Sequence, residues 1–224
     1  MKNVNWIFSI VSLTTMFITA CGGNTSIESE GNSESATTTE VVIGTQVWMT
    51  KNLDVSTFRN GEPIPEAKSN EEWSRASSIK QPAWCYHSND SKLGGKHVKL
   101  YNWYAVNDPR GLAPMGYHIP SDKEWTILTD YLGGPNAAGT KMKSSNGWRE
   151  NGNGNNNSGF LGYPSGSRDG IGPFAAIGPY CFWWSSTENS ASLAWGLGLN
   201  YYDGTSVRSP NYKVNGFSVR CIKD

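Results

Sequence analysis

The sequence predicts an α+β domain that is irregular, loop-heavy and cored by large rings. Three observations predict it. Two segments carry a helix-start signal, and the second follows it with apolar residues at helical spacing. The last third of the chain alternates apolar side chains with a period of two. Ten Trp and ten Tyr accompany 25 glycines, while charged residues make up only 17%, a composition that fills a core with rings and leaves much of the chain to loops.

The elements follow in order. Val41–Ile43 and Val47–Met49 flank Gly44-Thr45, and β-branched residues on both sides of a short turn predict a hairpin. Ser69, with Glu72 three residues later, is a capping box, in which the two side chains satisfy orphan backbone donors at a helix start. That helix runs from about Glu71 to Ile79, ahead of Pro82. Tyr101, Trp103 and Tyr104 read as core aromatics on a strand or short helix, and "NDPRG" and "APMG" after them are turns. Ser121 and Glu124 repeat the capping pattern. Trp125, Leu128 and Leu132 then share one helical face, flanked by Ile127 and Tyr131, until Gly133-Gly134-Pro135 ends the helix.

The run "NGWRENGNGNNNSGF" reads as a surface loop, because Asn and Gly tolerate left-handed backbone. Further on, Leu193, Trp195, Leu197, Leu199 and Tyr201 fall on one face of a strand. Gly196 and Gly198 occupy the other, which implies close backbone approach. Asp203-Gly204 and Asn215-Gly216 mark turns. In the closing strand Phe217, Val219 and Cys221 alternate inward.

Ahead of the domain, residues 1–20 read as a signal peptide: Lys2 is the charged start and Ile7 to Ile18 a mostly apolar stretch too short to span a membrane. Ile18-Thr19-Ala20-Cys21 resembles a bacterial lipobox, which predicts cleavage before Cys21 and acylation of its thiol. Several acyl chains anchor stably where one does not. Residues 21–40 contain no aromatic, Lys or Arg, and their only charges are Glu28, Glu30, Glu34 and Glu40. Such a segment buries too little apolar surface to offset chain entropy, so it is read as a disordered tether. The folded domain is then 41–224.

Lys and Arg together number 19 and so do Asp and Glu, with no basic run, which argues against nucleic acid as a partner. His118 lies in "GYHIPSDKEW" without a second histidine beside it, so this stretch reads as a helix start rather than a metal or catalytic site. Ser185, Ser186, Asp122 and His118 contain the groups of a nucleophilic triad, but no G-x-S-x-G elbow presents a serine. Glu71 and Glu72 are adjacent and diverge on a helix, unlike a glycosidase pair. His87 and His97 read as solvated. Glu150 is the one carboxylate in the Gly–Asn loop, too few for calcium there. Trp183-Trp184 and Tyr201-Tyr202 are adjacent pairs. On a strand each pair sends one ring to each face, so at least one of each is expected to be exposed and able to stack on a sugar. Cys85, Cys181 and Cys221 form no CxxC pair, which argues against a zinc knuckle. In an oxidising compartment two of them could bond, and spacing leaves the pair open.

"IGTQVWMTKNLDV", "PAWCYHSND", "LYNWYAV", "GYHIPSDKEW", "WWSSTE" and "GFSVRCIKD" occur in this order. Together they closely resemble the Fibrobacter succinogenes major paralogous domain family over residues 41–224. The resemblance implies an exported, often lipid-anchored domain of undetermined molecular function. A more distant likeness links "HIPSDKEW" to the "LPTEAEWE" helix start, and "GFSVRC" to the closing "GFR" strand, of formylglycine-generating-enzyme-like domains. It implies a C-type lectin-like fold: two short helices, twisted antiparallel sheets, long loops, and paired N- and C-terminal strands. The family motifs contain Cys85 and Cys221, which implies a Cys85–Cys221 disulfide, with Cys181–Cys221 as the alternative. Lectin-like folds often bind calcium in loops, which singles out Glu188 and Asn189 as candidate metal ligands.

The expected function is that of a lipid-anchored, non-catalytic module of the bacterial cell envelope, held at the outer membrane and facing the periplasm or the cell surface. It would bind glycan or another surface protein, with Trp183, Trp184, Tyr201 and Tyr202 as candidate contacts and no cofactor unless calcium. The alternative is a structural component of a surface assembly. An enzyme related to formylglycine-generating enzymes is the third reading, set back by the lack of the close cysteine pair that copper chemistry needs.

Overall fold

A computed structural model describes residues 39–93, 99–175 and 177–224. The expected signal peptide, Cys21 with its expected lipid, His97 and the expected tether as far as residue 38 lie outside the described residues. Thr39 and Glu40 already belong to the domain: the Thr39 carbonyl accepts from the Thr50 N–H at 2.9 Å, and Glu40 opens the first strand.

The architecture is α+β, with small antiparallel sheets and four α-helices among the described residues. One sheet joins β1 (Glu40–Ile43), β2 (Gln46–Met49), β11 (Ile222–Lys223) and β5 (Tyr117–His118) in the order β1-β2-β11-β5. Ile222 stands opposite both Trp48 and His118, so the two ends of the domain pair directly. A second sheet, in the order β10-β9-β8, contains β8 (Tyr180–Glu188), β9 (Leu193–Asn200) and β10 (Ser206–Tyr212). Two ribbons complete the set: β3 (Trp84–Tyr86) with β4 (Lys99–Tyr101), and β6 (Ser167–Arg168) with β7 (Phe174–Ala175).

Both expected helices form. In α1 (Asn70–Ser78) the Ser69 hydroxyl accepts from the Glu72 N–H at 3.2 Å, but the Glu72 carboxylate takes the Lys68 N–H instead of that of Ser69. In α3 (Asp122–Tyr131) the box is complete: the Glu124 side chain accepts from the Ser121 N–H at 2.7 Å, and the Ser121 hydroxyl accepts from the Glu124 N–H at 3.3 Å. Two further helices form, the first being the short helix that Trp103 and Tyr104 left open as an alternative to a strand, the second not foreseen. Asn102 caps the one-turn α2 (Trp103–Val106). Gly133-Gly134-Pro135 ends α3 but also starts α4 (Pro135–Met142), because proline at the first helical position loses no hydrogen bond there.

The core lies on both faces of β8. Trp183 packs with Trp125 and Leu128 of α3, Trp48 of the hairpin, and Phe160. Trp48 and Trp125 are 4.8 Å apart, and Phe160 meets Trp183 edge-on at 5.3 Å. Trp184 packs with Tyr101, Trp103, Phe217 and Val219. The alternation expected at Trp183-Trp184 is therefore present, but both rings are 0% exposed, since α3 and the hairpin cover one face while α2 and the chain terminus cover the other. Neither can meet a ligand. Phe217, Val219 and Cys221 point into the Trp184 side as expected, yet Ser218 and Arg220 between them are buried too, so the closing segment is interior on both sides.

The expected disulfide is also corrected. Cys85, Cys181 and Cys221 are all free and buried. Cys85 sits with Trp73 and Leu100, Cys181 in the Trp183 cluster, and Cys221 in the Trp184 cluster. The three thiols fall in three different core clusters, and neither Cys85–Cys221 nor Cys181–Cys221 is bridged.

Candidate aromatic binding site

One end of the β8–β9 hairpin carries an exposed group of tyrosines. Tyr180 opens β8 and stands opposite Asn200, the last residue of β9, so the register sets it beside Tyr201 and Tyr202. The Tyr180 ring lies 6.5 Å from each of the other two, and these are 5.4 Å from one another, all edge-to-face. Tyr202 is 65% exposed and Tyr180 36%, while Tyr201 is half-buried against the Trp183 side of the core. The Arg149 guanidinium lies 5.8 Å from the Tyr201 ring and pairs with Glu150 at 3.0 Å.

The base of this platform is rigid. Lys143 is buried, and its ammonium donates to the carbonyls of Gly152 at 2.7 Å, Asn200 at 3.1 Å and Asp203 at 2.8 Å. Burial pulls its pKa down and the nearby Asp203 charge opposes the shift. One ammonium thus ties the Gly–Asn loop, the end of β9 and the following turn together. In that turn the Asp203 carboxylate accepts from the Thr205 hydroxyl at 2.6 Å, the Thr205 N–H at 2.8 Å and the Asn200 amide at 2.9 Å. The Thr205 hydroxyl first, and these other donors with it, hold its pKa below the usual carboxylate value. Gly152 lets the loop touch Tyr201 backbone to backbone, since a Cβ there would fall 2.0 Å from the Tyr201 carbonyl oxygen. Fixed phenol rings with one guanidinium beside them can stack on the C–H faces of a sugar and hydrogen-bond its hydroxyls.

The other candidates lie elsewhere. Glu188 receives the buried ammonium of Lys213 at 2.5 Å. The Asn189 N–H donates to the Leu193 carbonyl at 2.9 Å within the β8–β9 turn. Among the described residues no group of three or more His, Cys, Asp or Glu is placed to hold a metal ion. His118 bridges two carboxylates, Nε2 with Glu124 and Nδ1 with Asp224, each at 2.8 Å. The two ring nitrogens point in opposite directions, so these groups do not converge on one point and instead latch the last residue to the start of α3. Partial burial opposes the charged ring, but the two carboxylates outweigh it and its pKa is raised. Asp122 is engaged by Arg208, and the Ser185 hydroxyl accepts from the Thr187 N–H at 3.0 Å. His87, expected to be solvated, is buried: its Nε2 lies 2.7 Å from the Ala175 carbonyl, its ring packs on Phe174, and desolvation lowers its pKa.

Tyr201 and Tyr202 are thus brought together as candidates, and Tyr180 joins them without having been singled out. Its signal was the hairpin register, which counting back from Asp203-Gly204 does not supply because β8 and β9 are irregularly paired between Trp184 and Glu188. A profile of the family described as Fibrobacter succinogenes major domain matches residues 41–223. No curated protein and no solved structure matches the chain.

Proposed function

The chain belongs to the Fibrobacter succinogenes major domain family, and from that premise we propose that its folded part is a non-catalytic module that binds glycan through the Tyr180–Tyr201–Tyr202 platform. The observation that carries this reading is the set of three mutually edge-on tyrosines, outermost on a base fixed by Lys143. A preformed aromatic surface loses little side-chain freedom on binding. The reading needs no metal, because stacking and hydroxyl hydrogen bonds supply the contacts. The pairing of β2 with β11 is what a C-type lectin-like architecture would require, and that architecture forms part of the proposal. So does display from a lipidated Cys21 at the outer membrane, with 21–38 as spacer; loss of membrane fractionation in Cys21→Ala is its test.

The binding test is retention of the detergent-solubilised full chain on insoluble and immobilised polysaccharides, with calcium and with chelator. Retention indifferent to chelator and reduced at least fivefold by Tyr202→Ala or Tyr180→Ala is expected. Absence of retention on every polysaccharide overturns glycan binding and favours a protein partner in a surface assembly. Retention lost on chelation would return calcium to the account and remove the tyrosines as its main cause.

A further inference from the structure

A concave surface is lined by residues other than those of the tyrosine platform. An open cleft of about 430 Å3 runs between α1, the loop 169–171 and the chain following β10, lined by Ser74, Ser77, Asp169, Ile171, Tyr212 and Asn215 among others. Its volume is within the range of small-molecule sites. Ile171 is 75% exposed and Tyr212 62%, so the cleft offers open apolar and aromatic surface at its rim.

Its walls are locked together from beneath. Arg168 is buried between the rings of Trp73 at 4.8 Å and Phe174 at 4.4 Å. Its guanidinium donates to the carbonyls of Ser69 at 2.7 Å, Gly172 at 2.9 Å and Ala67 at 3.3 Å, which ties the loop to the start of α1. Its backbone exchanges two hydrogen bonds with Gly216, of 2.9 and 2.8 Å, which ties the same loop to the third wall. Gly170 then packs so closely on Val214 that a Cβ would fall 2.3 Å from that side chain. The cleft is therefore formed before any ligand arrives.

The polar groups in it are half used. Asp169 Oδ1 accepts from the Ile171 N–H at 2.9 Å, and the other carboxylate oxygen has no partner among the described residues. Asn215 Oδ1 accepts from the Gly170 N–H at 3.2 Å, and its amide NH2 has no acceptor among the described residues. An acceptor and a two-hydrogen donor beside an exposed phenol ring match adjacent hydroxyls of a pyranose, each of which both donates and accepts. Asp169 is the sole charged lining residue among the described residues, and it repels carboxylate, sulfate and phosphate groups.

We propose that this cleft is a second saccharide subsite, selective for uncharged sugar residues over uronic or sulfated ones. The proposal rests on the glycan-binding reading above and adds to it a separate site with a defined ligand class. Two subsites on one domain raise apparent affinity for a polymer that can reach both.

The test is hydrogen–deuterium exchange of the full chain in detergent with soluble cello-, xylo-, manno- and chito-hexaose and with oligogalacturonate, together with titration calorimetry of variants. Expected are protection of peptides covering 169–172 and 212–216 by a neutral oligosaccharide, and at least fivefold weaker binding in Tyr212→Ala and in Asp169→Asn. The latter keeps the acceptor for Ile171 and removes the charge. Protection confined to peptides with Tyr180, Tyr201 and Tyr202 overturns the second subsite and leaves the first intact. Protection of 169–172 and 212–216 by none of the neutral oligosaccharides overturns the second subsite, while the tyrosine platform stands or falls with the polysaccharide retention test above. Preference of the cleft for oligogalacturonate overturns its assignment to uncharged sugars.

Discussion

The guanidinium of Arg220 lies 4.2 Å from the centre of the Phe160 ring and donates to the Phe160 carbonyl at 2.5 Å. It also donates to the Met49 carbonyl at 2.9 Å and to the Asn52 amide oxygen at 2.7 Å. None of these acceptors is a carboxylate. Lys99, Lys143, Arg168 and Lys213 are buried too, each bonded to at least one backbone carbonyl and each within reach of a ring, although Lys99 and Lys213 also pair with the carboxylates of Asp54 and Glu188. Short strands and long loops leave many backbone carbonyls without ladder partners, and a buried carbonyl needs a donor. A lysine or arginine brings three to five donors to one point, and the ring faces offset part of the cost of burying its charge.

Arg220→Met is expected to destabilise the domain by about 3–5 kcal/mol, because several buried carbonyls lose their donor at once. Arg220→Lys should recover less than half, since an ammonium cannot span the same acceptors. Burial pulls the Arg220 pKa down to about 9, which still leaves it charged at neutral pH. Urea unfolding followed by tryptophan fluorescence reads both variants. A wild-type midpoint for the methionine variant would show that the clamp carries no stability.

His118 should make stability depend on pH. Its folded pKa is raised above 6.5, so its contribution is full below that value and fades as pH rises through the folded pKa. Glu124 opposes at the acid end. Burial alone would raise its pKa, but the Ser121 N–H and then His118 outweigh burial and lower it, so its contribution fades as pH falls through its folded pKa. The latch is then strongest between the two. His118→Ala is expected to cost on the order of 0.5–1 kcal/mol at pH 5.5, allowing for solvent screening, and clearly less at pH 8.5. Equal losses at both pH values would refute the charged latch.

Gly152→Ala should damage the tyrosine platform from behind. A methyl group 2.0 Å from the Tyr201 carbonyl cannot be accommodated without moving backbone, and overpacking of this kind costs about 1–3 kcal/mol. Thermal unfolding should show the loss, and polysaccharide retention should fall with Tyr201 displaced. Retention unchanged in a destabilised variant would separate the ligand from this end of the hairpin.

The three domain thiols should be silent in the native state. Desolvation pushes Cys85 up to about 11 and Cys221 up to about 12, and raises Cys181 strongly, so none is a thiolate at neutral pH. A thiol reagent should modify Cys85, Cys181 and Cys221 only after denaturation, without prior reduction, and reductant should leave the melting temperature unchanged. Thiols that appear only after reduction would restore a disulfide.

Features set by neighbours in sequence were legible. The hairpin at Gly44-Thr45, the helix starts at Ser69 and Ser121, the face of Trp125, Leu128 and Leu132, and the turn at Asp203-Gly204 all depend on residues within a few positions of one another. Helix α4 was missed because Pro135 stops one helix and starts another with the same chemistry. At the candidate site Tyr201 and Tyr202 were visible as a pair, but Tyr180 becomes their neighbour only through strand register.

What the sequence by itself determined is the class of the fold, the position of its local elements and the family to which it belongs. Only the tertiary structure decided which rings face water, which thiols stay apart and where the cations go. Alternation along β8 assigns Trp183 and Trp184 to opposite faces, but it does not say that α3 covers one and the Phe217 segment the other. Arg220 reads as a surface residue until the carbonyls of Met49 and Phe160, remote in the chain, close around it. Local pattern fixes direction, whereas burial depends on what the rest of the chain brings to that side.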